Sequence, residues 1–466
     1  MGEIRLDKMS GACPGFYPVL FLESGMKKQQ NDFLNGSILP SLLRFAGPVL
    51  LALFLQAMYG AVDLIVVGKF AGTADISAVS TGSQAMHLVT SLLVGLTTGV
   101  TVLLGQKIGE GKPDEAGSVI GSAICLFVCV ALGLTALLVT LAAPFCRLLQ
   151  APADAFVPTT QYVRICSAGT LFIVAFNVIG SVFRGLGDSK MPLITVAIAC
   201  VVNIFGDLLL VAVFHLGAAG AALATVFAQA ISVVLSLLVI ARRKLPFTFR
   251  KEQLRFDRPL TAGILRLGVP IALQDVLVGV SFLVILAIVN SLGLLQSAGM
   301  GIAEKVCAFV MLLPSAFSQS VSAFVAQNTG AAKPDRAKKA LRYSVVTSLC
   351  ISVFVFYFNF FHGDLLAGIF ANDRAVILEA ADYLKAYAID CLLTSFLFCF
   401  VGYFSGLGKT VFVMAQGILG AFGVRIPVSF FMSRLPNVRL FYIGLATPCS
   451  TVVQVLLCLA YYAHLS

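Results

Sequence analysis

The chain is built from two copies of one unit. Pro48 in FAGPVLLALFLQ aligns with Pro270 in LGVPIALQDVLV, and Arg44 with Arg266. Lys112-Pro113 aligns with Lys333-Pro334, Tyr162 with Tyr383, and Gly185-Leu186-Gly187 with Gly406-Leu407-Gly408. The offset stays at 221–222 residues over nearly the whole length. Halves of this size in a very apolar chain are the pattern of a transporter whose two helical bundles enclose a shared cavity.

Hydrophobic residues make up 59% of the chain and charged residues only 12%. A water-soluble protein of 466 residues could not cover itself with so little polar surface, so the surrounding solvent is largely lipid. Twelve apolar runs recur, at about 38–68, 76–106, 116–145, 156–183, 190–214, 217–241, 260–290, 296–328, 340–362, 376–404, 410–433 and 440–463. They are continuous runs, not ten-residue alternations, which predicts helices and not barrel strands. The expected fold is an all-α membrane protein of twelve transmembrane helices. An N-terminal six-helix lobe covers 38–241 and a C-terminal lobe 260–466, joined by a linker over 242–259. Each lobe has an even number of spans, so both enter the bilayer from the same side. Their pseudo-two-fold axis then runs along the membrane normal.

The net charge of +10 has a topological explanation. If the N-terminus is inside, the loops on that side carry 17 basic residues, among them the seven of RRKLPFTFRKEQLRFDRP; the opposite loops carry 5. The positive-inside rule therefore predicts both termini in the cytoplasm, in the plasma (cytoplasmic) membrane. No nucleic-acid partner is implied. Residues 1–37 form a cytoplasmic tail. Its first 25 residues lack a clean signal-peptide shape, and Met26 opens a plausible cytoplasmic start, MKKQQNDF. Residues 1–25 are read as an upstream-start artefact or a tail. The 12 cysteines have no metal-ligand or redox spacing and read as small buried hydrophobes.

Ionisable groups inside a bilayer span cost at least ~2.5–3.5 kcal/mol each, so each needs a reason. Asp63 lies in the first span. Asn203 and Asp207 are four apart in the fifth and share a helical face. Thr225 lies in the sixth, at a depth similar to Asp63 and Asp207 when the rise per residue is counted. Asn177, in the fourth, counts out deeper. Carboxylates with amide and hydroxyl oxygens suit Na⁺ or a proton; the alternative is a set of paired structural polar groups. Aligning the halves sets Asp207 against Val428, Asn203 against Val424 and Asn177 against Phe398, with Asp63 against Val284 or Ile285. Thr225 alone meets a polar partner, Thr447. The acidic set is thus expected in the first half only. The second half offers Asp275, Glu304, Lys305 and Asp390, with Arg425 in the eleventh span; Lys305 is expected to pair with one of the acids. Pro48 and Pro270 are candidate hinges, either passive bends or parts of a gate.

Several of these residues sit in segments that resemble the multidrug and toxic compound extrusion (MATE) family, prokaryotic type. The similarity runs over about 38–463. It includes VDxxxVG at 62–68, RGxGD at 184–188, NxxxD at 203–207, GxxGAAxAT at 217–225 and AQNxGA at 326–331. The resemblance implies a V-shaped pair of six-helix bundles alternating between outward-open and inward-open states. It also implies a cation site at Asp63, Asn177, Asn203, Asp207 and Thr225. Other branches carry an essential glutamate in the seventh span, where this chain reads Val278. The implied activity is antiport, with small organic and often cationic compounds leaving as Na⁺ or H⁺ enters. No cofactor is implied beyond the coupling ion, and a monomer is expected. Two rivals remain. One is a lipid-linked oligosaccharide flippase of the same superfamily, which needs a strongly cationic cavity. The other is an intramembrane enzyme, but HExxH, serine–lysine and paired-aspartate protease patterns are missing.

Overall fold

A computed structural model describes residues 33–242 and 250–465. The reading of residues 1–25 therefore lies outside the described residues, as do 243–249 of the linker. Spans 1 to 3 are Ile38–Phe70, Thr73–Gly109 and Asp114–Leu148. Span 4 is a pair, Ala153–Ala168 and Thr170–Gly185, bent by 54° at Gly169. Spans 5 and 6 are Lys190–Val213 and Gly217–Arg242. In the second half, spans 7 to 9 are Arg258–Asn290, Leu294–Gly330 and Pro334–Phe361. Spans 10 to 12 are Arg374–Gly406, Thr410–Met432 and Leu440–Leu465. Among the described residues there is no strand. Among the described residues the fold is thus twelve membrane helices in two six-helix lobes, with the bent pair counted as one span.

Local chemistry sets the boundaries. Spans 3 and 9 begin on Lys112-Pro113 and Lys333-Pro334, where proline's missing N–H is harmless in the first helical turn. Spans 4 and 10 both end in Gly-Leu-Gly, with the second glycine at φ +82° in Gly187 and +75° in Gly408. Side chains rarely adopt that conformation, which explains the repeated glycine. Spans 5 and 11 each contain a π-helical stretch, Leu208–Val213 and Leu419–Arg425, and these do not fall at matching places in the repeat.

Each lobe has its own apolar core, and the lobes meet along one end of the molecule. There, the inner part of span 1 (Leu42, Phe45, Val49) packs on Ala316, Ala323, Phe324 and Ala340 of the other lobe. Span 7 returns the contact, burying Ile264 in the N-lobe core. Spans 2 and 7 approach through glycine: a Cβ on Gly95 would lie 2.4 Å from the Cα of Ala272, and one on Gly99 2.3 Å from the Ile264 carbonyl. At the same end, Phe33 ahead of span 1 is fully buried. Its carbonyl accepts from Asn328 and Arg336, at 3.2 and 3.0 Å.

The described part of the linker folds back on span 3. The Gln253 amide donates to the Asp114 carbonyl at 3.0 Å. Asp257 then caps span 7 by accepting from the Leu260 N–H at 3.2 Å.

Candidate functional site

Asp63, Asn203, Asp207 and Thr225 converge inside the N-lobe, toward the end remote from the lobe contact. Span 1 supplies Asp63, span 5 the Asn203/Asp207 pair one turn apart, and span 6 Thr225. Asn203 Nδ2 donates to Asp207 Oδ2 at 3.3 Å, and the Thr225 hydroxyl donates to Asp63 Oδ2 at 3.4 Å. Asn203 and Asp207 also lie close to the Asp63 carboxyl. Asp63, Asn203 and Asp207 are 4%, 1% and 0% exposed.

One oxygen on each of these three side chains, Asp63 Oδ1, Asn203 Oδ1 and Asp207 Oδ1, is buried with no hydrogen-bond partner among the described residues. Two carboxylates cannot both stay charged and desolvated side by side without something positive between them. Hard oxygens of this kind suit Na⁺ or a proton. The set does not amount to a multi-carboxylate or histidine/cysteine metal centre: among the described residues no group of three or more His, Cys, Asp or Glu could hold a metal ion.

Asn177 is not brought into this cluster. Its amide donates to the Ile173 carbonyl at 2.8 Å, and it lines a smaller cavity of about 80 Å³ with Gln56 and Arg184. Tyr59 lies between the two places, beside Asp63, Gln56 and Gln229. Neither Tyr59 nor Gln229 is among the site residues expected from the sequence. Their signal was available, since Tyr59 precedes Asp63, and Gln229 follows Thr225, by one helical turn.

The C-lobe holds a larger cavity, about 300 Å³, lined by Asp275, Asp390, Arg425, Phe282 and Tyr387. Asp390 accepts from Thr394 at 2.9 Å and from Thr451 at 2.6 Å. Arg425 donates to the Ser281 hydroxyl at 3.2 Å, with its guanidinium 4.4 Å from the Phe282 ring centre. Glu304 does not line this cavity; it lies half-buried near Tyr383. Lys305 corrects an expectation. It is exposed, and among the described residues it forms no ion pair with Asp275, Glu304 or Asp390. An exposed lysine can carry its ammonium toward water along its apolar stem, so no buried acid is needed to offset its desolvation.

The alignment of the halves also needs correcting. The inward, buried positions of span 5 are Asn203 and Asp207; those of span 11 are Arg425 and Ser429. The offset here is 222, not 221, so Asn203 answers to Arg425 and Asp207 to Ser429. The second half is therefore not apolar at these places: it sets a guanidinium where the first half sets the Asn203 amide, and a hydroxyl where the first half sets the Asp207 carboxyl. A one-residue slip turns a helical position by about 100°, which is why Val424 and Val428 had looked equivalent.

A duplicated twelve-span bundle with polar clusters buried in each lobe defines a multi-pass membrane transporter. The family model described as MatE matches the chain twice, at 48–209 and 270–431, and both matches begin on the paired prolines. These matches cover more than half of the chain, which belongs to the MatE family. The chain is 25% identical over 433 residues to "Probable multidrug resistance protein YoeA" of Bacillus subtilis (strain 168), covering 91% of this chain and 94% of the relative. It is 27% identical over 417 residues to YpnP of the same organism, a further "Probable multidrug resistance protein", covering 88% and 90%. In fold it is similar to an outward-facing multidrug resistance MATE family transporter, with a TM-score of 0.86 at 18% identity over 93% of this chain and 97% of that one.

Proposed function

We propose that the chain is a secondary antiporter that exports organic compounds, cationic or amphipathic, as Na⁺ or H⁺ moves inward. The observation that carries this reading is the trio of orphaned buried oxygens on Asp63, Asn203 and Asp207. An incoming cation, itself a transported substrate, would satisfy them and tie span 1 to spans 5 and 6. Span 1 also packs on the C-lobe on either side of Pro48, so ion occupancy in one lobe bears on the contact between both. Coupling needs only that the ion bind the two lobe arrangements with different affinity. The names of the relatives support drug-like cargo. The basic loops support cytoplasmic termini in the plasma membrane, with the lobe contact on the cytoplasmic side.

A lipid-linked oligosaccharide flippase would need several basic groups in its cavity, whereas the C-lobe cavity sets one, Arg425, against Asp275 and Asp390. Transport of a fluorescent organic cation by proteoliposomes, under an imposed Na⁺ gradient and separately under a pH gradient, tests the proposal. Accelerated, ion-dependent transport under one of them is expected. Rates equal to those of protein-free liposomes under both would overturn it.

A further inference from the structure

The C-lobe cavity is lined by three charged groups that the antiport scheme does not use, Asp275, Asp390 and Arg425. Arg425 is only 6% exposed, yet its charge is not met by a contact ion pair among the described residues. Its Nε has no hydrogen-bond partner, and its bond to Ser281 is to a neutral hydroxyl. The neighbouring Asp390 has both oxygens occupied by threonine hydroxyls. A desolvated guanidinium with N–H groups to spare is costly to maintain as structure alone. Its planar fork matches a carboxylate in two parallel hydrogen bonds. The π-helical stretch that ends on Arg425 fits such a role, because π-bulges recur at functional sites.

Across the same cavity, span 7 presents Asp275, half-buried and without a hydrogen-bond partner or ion pair among the described residues. Gln274 and Gln416 add buried amide oxygens that likewise lack partners. Phe282, under the Arg425 guanidinium, and Tyr387 add aromatic faces to the lining. A second cation site like that of the N-lobe does not fit, since the place equivalent to Asn203 holds a positive charge that repels a bare cation.

We infer that the C-lobe cavity is a two-headed site for zwitterionic aromatic solutes, with Arg425 anchoring a carboxylate and Asp275 the cationic group. Arg425 is then the residue that sets specificity between a zwitterion and its ester. This rests on the export reading for its biological meaning, but it concerns binding and can be measured without a gradient.

The test uses the full chain in lipid nanodiscs and two dyes that differ at one group. Rhodamine 110 carries a free carboxylate, and rhodamine 123 is its methyl ester with the same cationic ring system. Equilibrium binding is read by fluorescence anisotropy. The wild type is expected to prefer rhodamine 110 by roughly tenfold, the order of a charge-assisted pair of hydrogen bonds. Arg425→Gln is expected to remove that preference by weakening rhodamine 110 alone, and Asp275→Asn to weaken both dyes. Arg425→Lys keeps the charge, guards against a misfolded glutamine variant, and is expected to retain part of the preference. Absence of any preference in the wild type would overturn the inference, as would an equal loss of both dyes in either Arg425 variant. If the preference is found but no ion gradient drives transport, the antiport reading fails and the binding site stands.

Discussion

The side-chain amide of Gln327 donates to the Gly185 carbonyl at 2.9 Å, and that of Gln106 to the Gly406 carbonyl at 3.3 Å. These are one contact made twice. Gln106 and Gln327 are repeat equivalents, as are Gly185 and Gly406, so each lobe reaches across the pseudo-two-fold axis into the other. The backbones are close enough that a Cβ on Gly109 would lie 2.0 Å from the Gln327 carbonyl, and one on Gly330 2.0 Å from that of Gln106. Together they form a symmetric latch that closes one end of the molecule; on the proposed antiport reading it must open for the other state to form.

Removing the latch should favour that other state. Each hydrogen bond is worth about 1 kcal/mol net, so Gln327→Ala should raise the open population roughly fivefold, and the double variant with Gln106→Ala should raise it further. A cysteine at Ser322, in a background free of reactive cysteines, reports the change as faster thiol labelling from the latch side. Unchanged labelling rates would remove the latch from the transport cycle.

Asp207→Asn keeps the size and hydrogen-bonding capacity of the side chain and removes its charge. Asp207 is fully buried beside Asp63, with one oxygen unpartnered. The variant should insert normally and lose gradient-driven efflux, with Asp63→Asn behaving alike. Wild-type rates at matched expression, across pH and Na⁺ conditions, would make the cluster structural. Coupling would then have to run through the second lobe.

Pro48 lies inside an uninterrupted helix, amid the span 1 residues that pack on the C-lobe, Phe45 before it and Val49 after it, at the junction that leads on to Asp63. Pro48→Ala restores a backbone donor and stiffens that junction. The protein should stay folded, with thermal stability equal to or above that of the wild type, while turnover slows several-fold. Transport kinetics identical to the wild type would reduce Pro48 to a passive kink.

The orientation can be read at Glu252, which is exposed in the linker next to the engaged Gln253. Glu252→Cys should resist an impermeant thiol reagent added to intact cells and react once the membrane is opened. Ready labelling in intact cells would invert the topology.

The sequence by itself determined the number of spans, the duplication and the presence of buried charge, because these depend on local apolarity and on a repeat of more than two hundred residues. Asp63, Asn203, Asp207 and Thr225 were legible for the same reason, since polar groups in apolar runs stand out and helical spacing sets which of them share a face. What those groups face was decided only by the packed structure. A helix turns about 100° per residue, so a one-residue slip hid the equivalence of Asn203 and Arg425. The turn of span 4 sent Asn177 toward Arg184 and away from Asp63, and that of span 8 left Lys305 exposed. Such rotations are fixed by packing against neighbouring helices, a property of the assembled bundle that no single apolar run encodes.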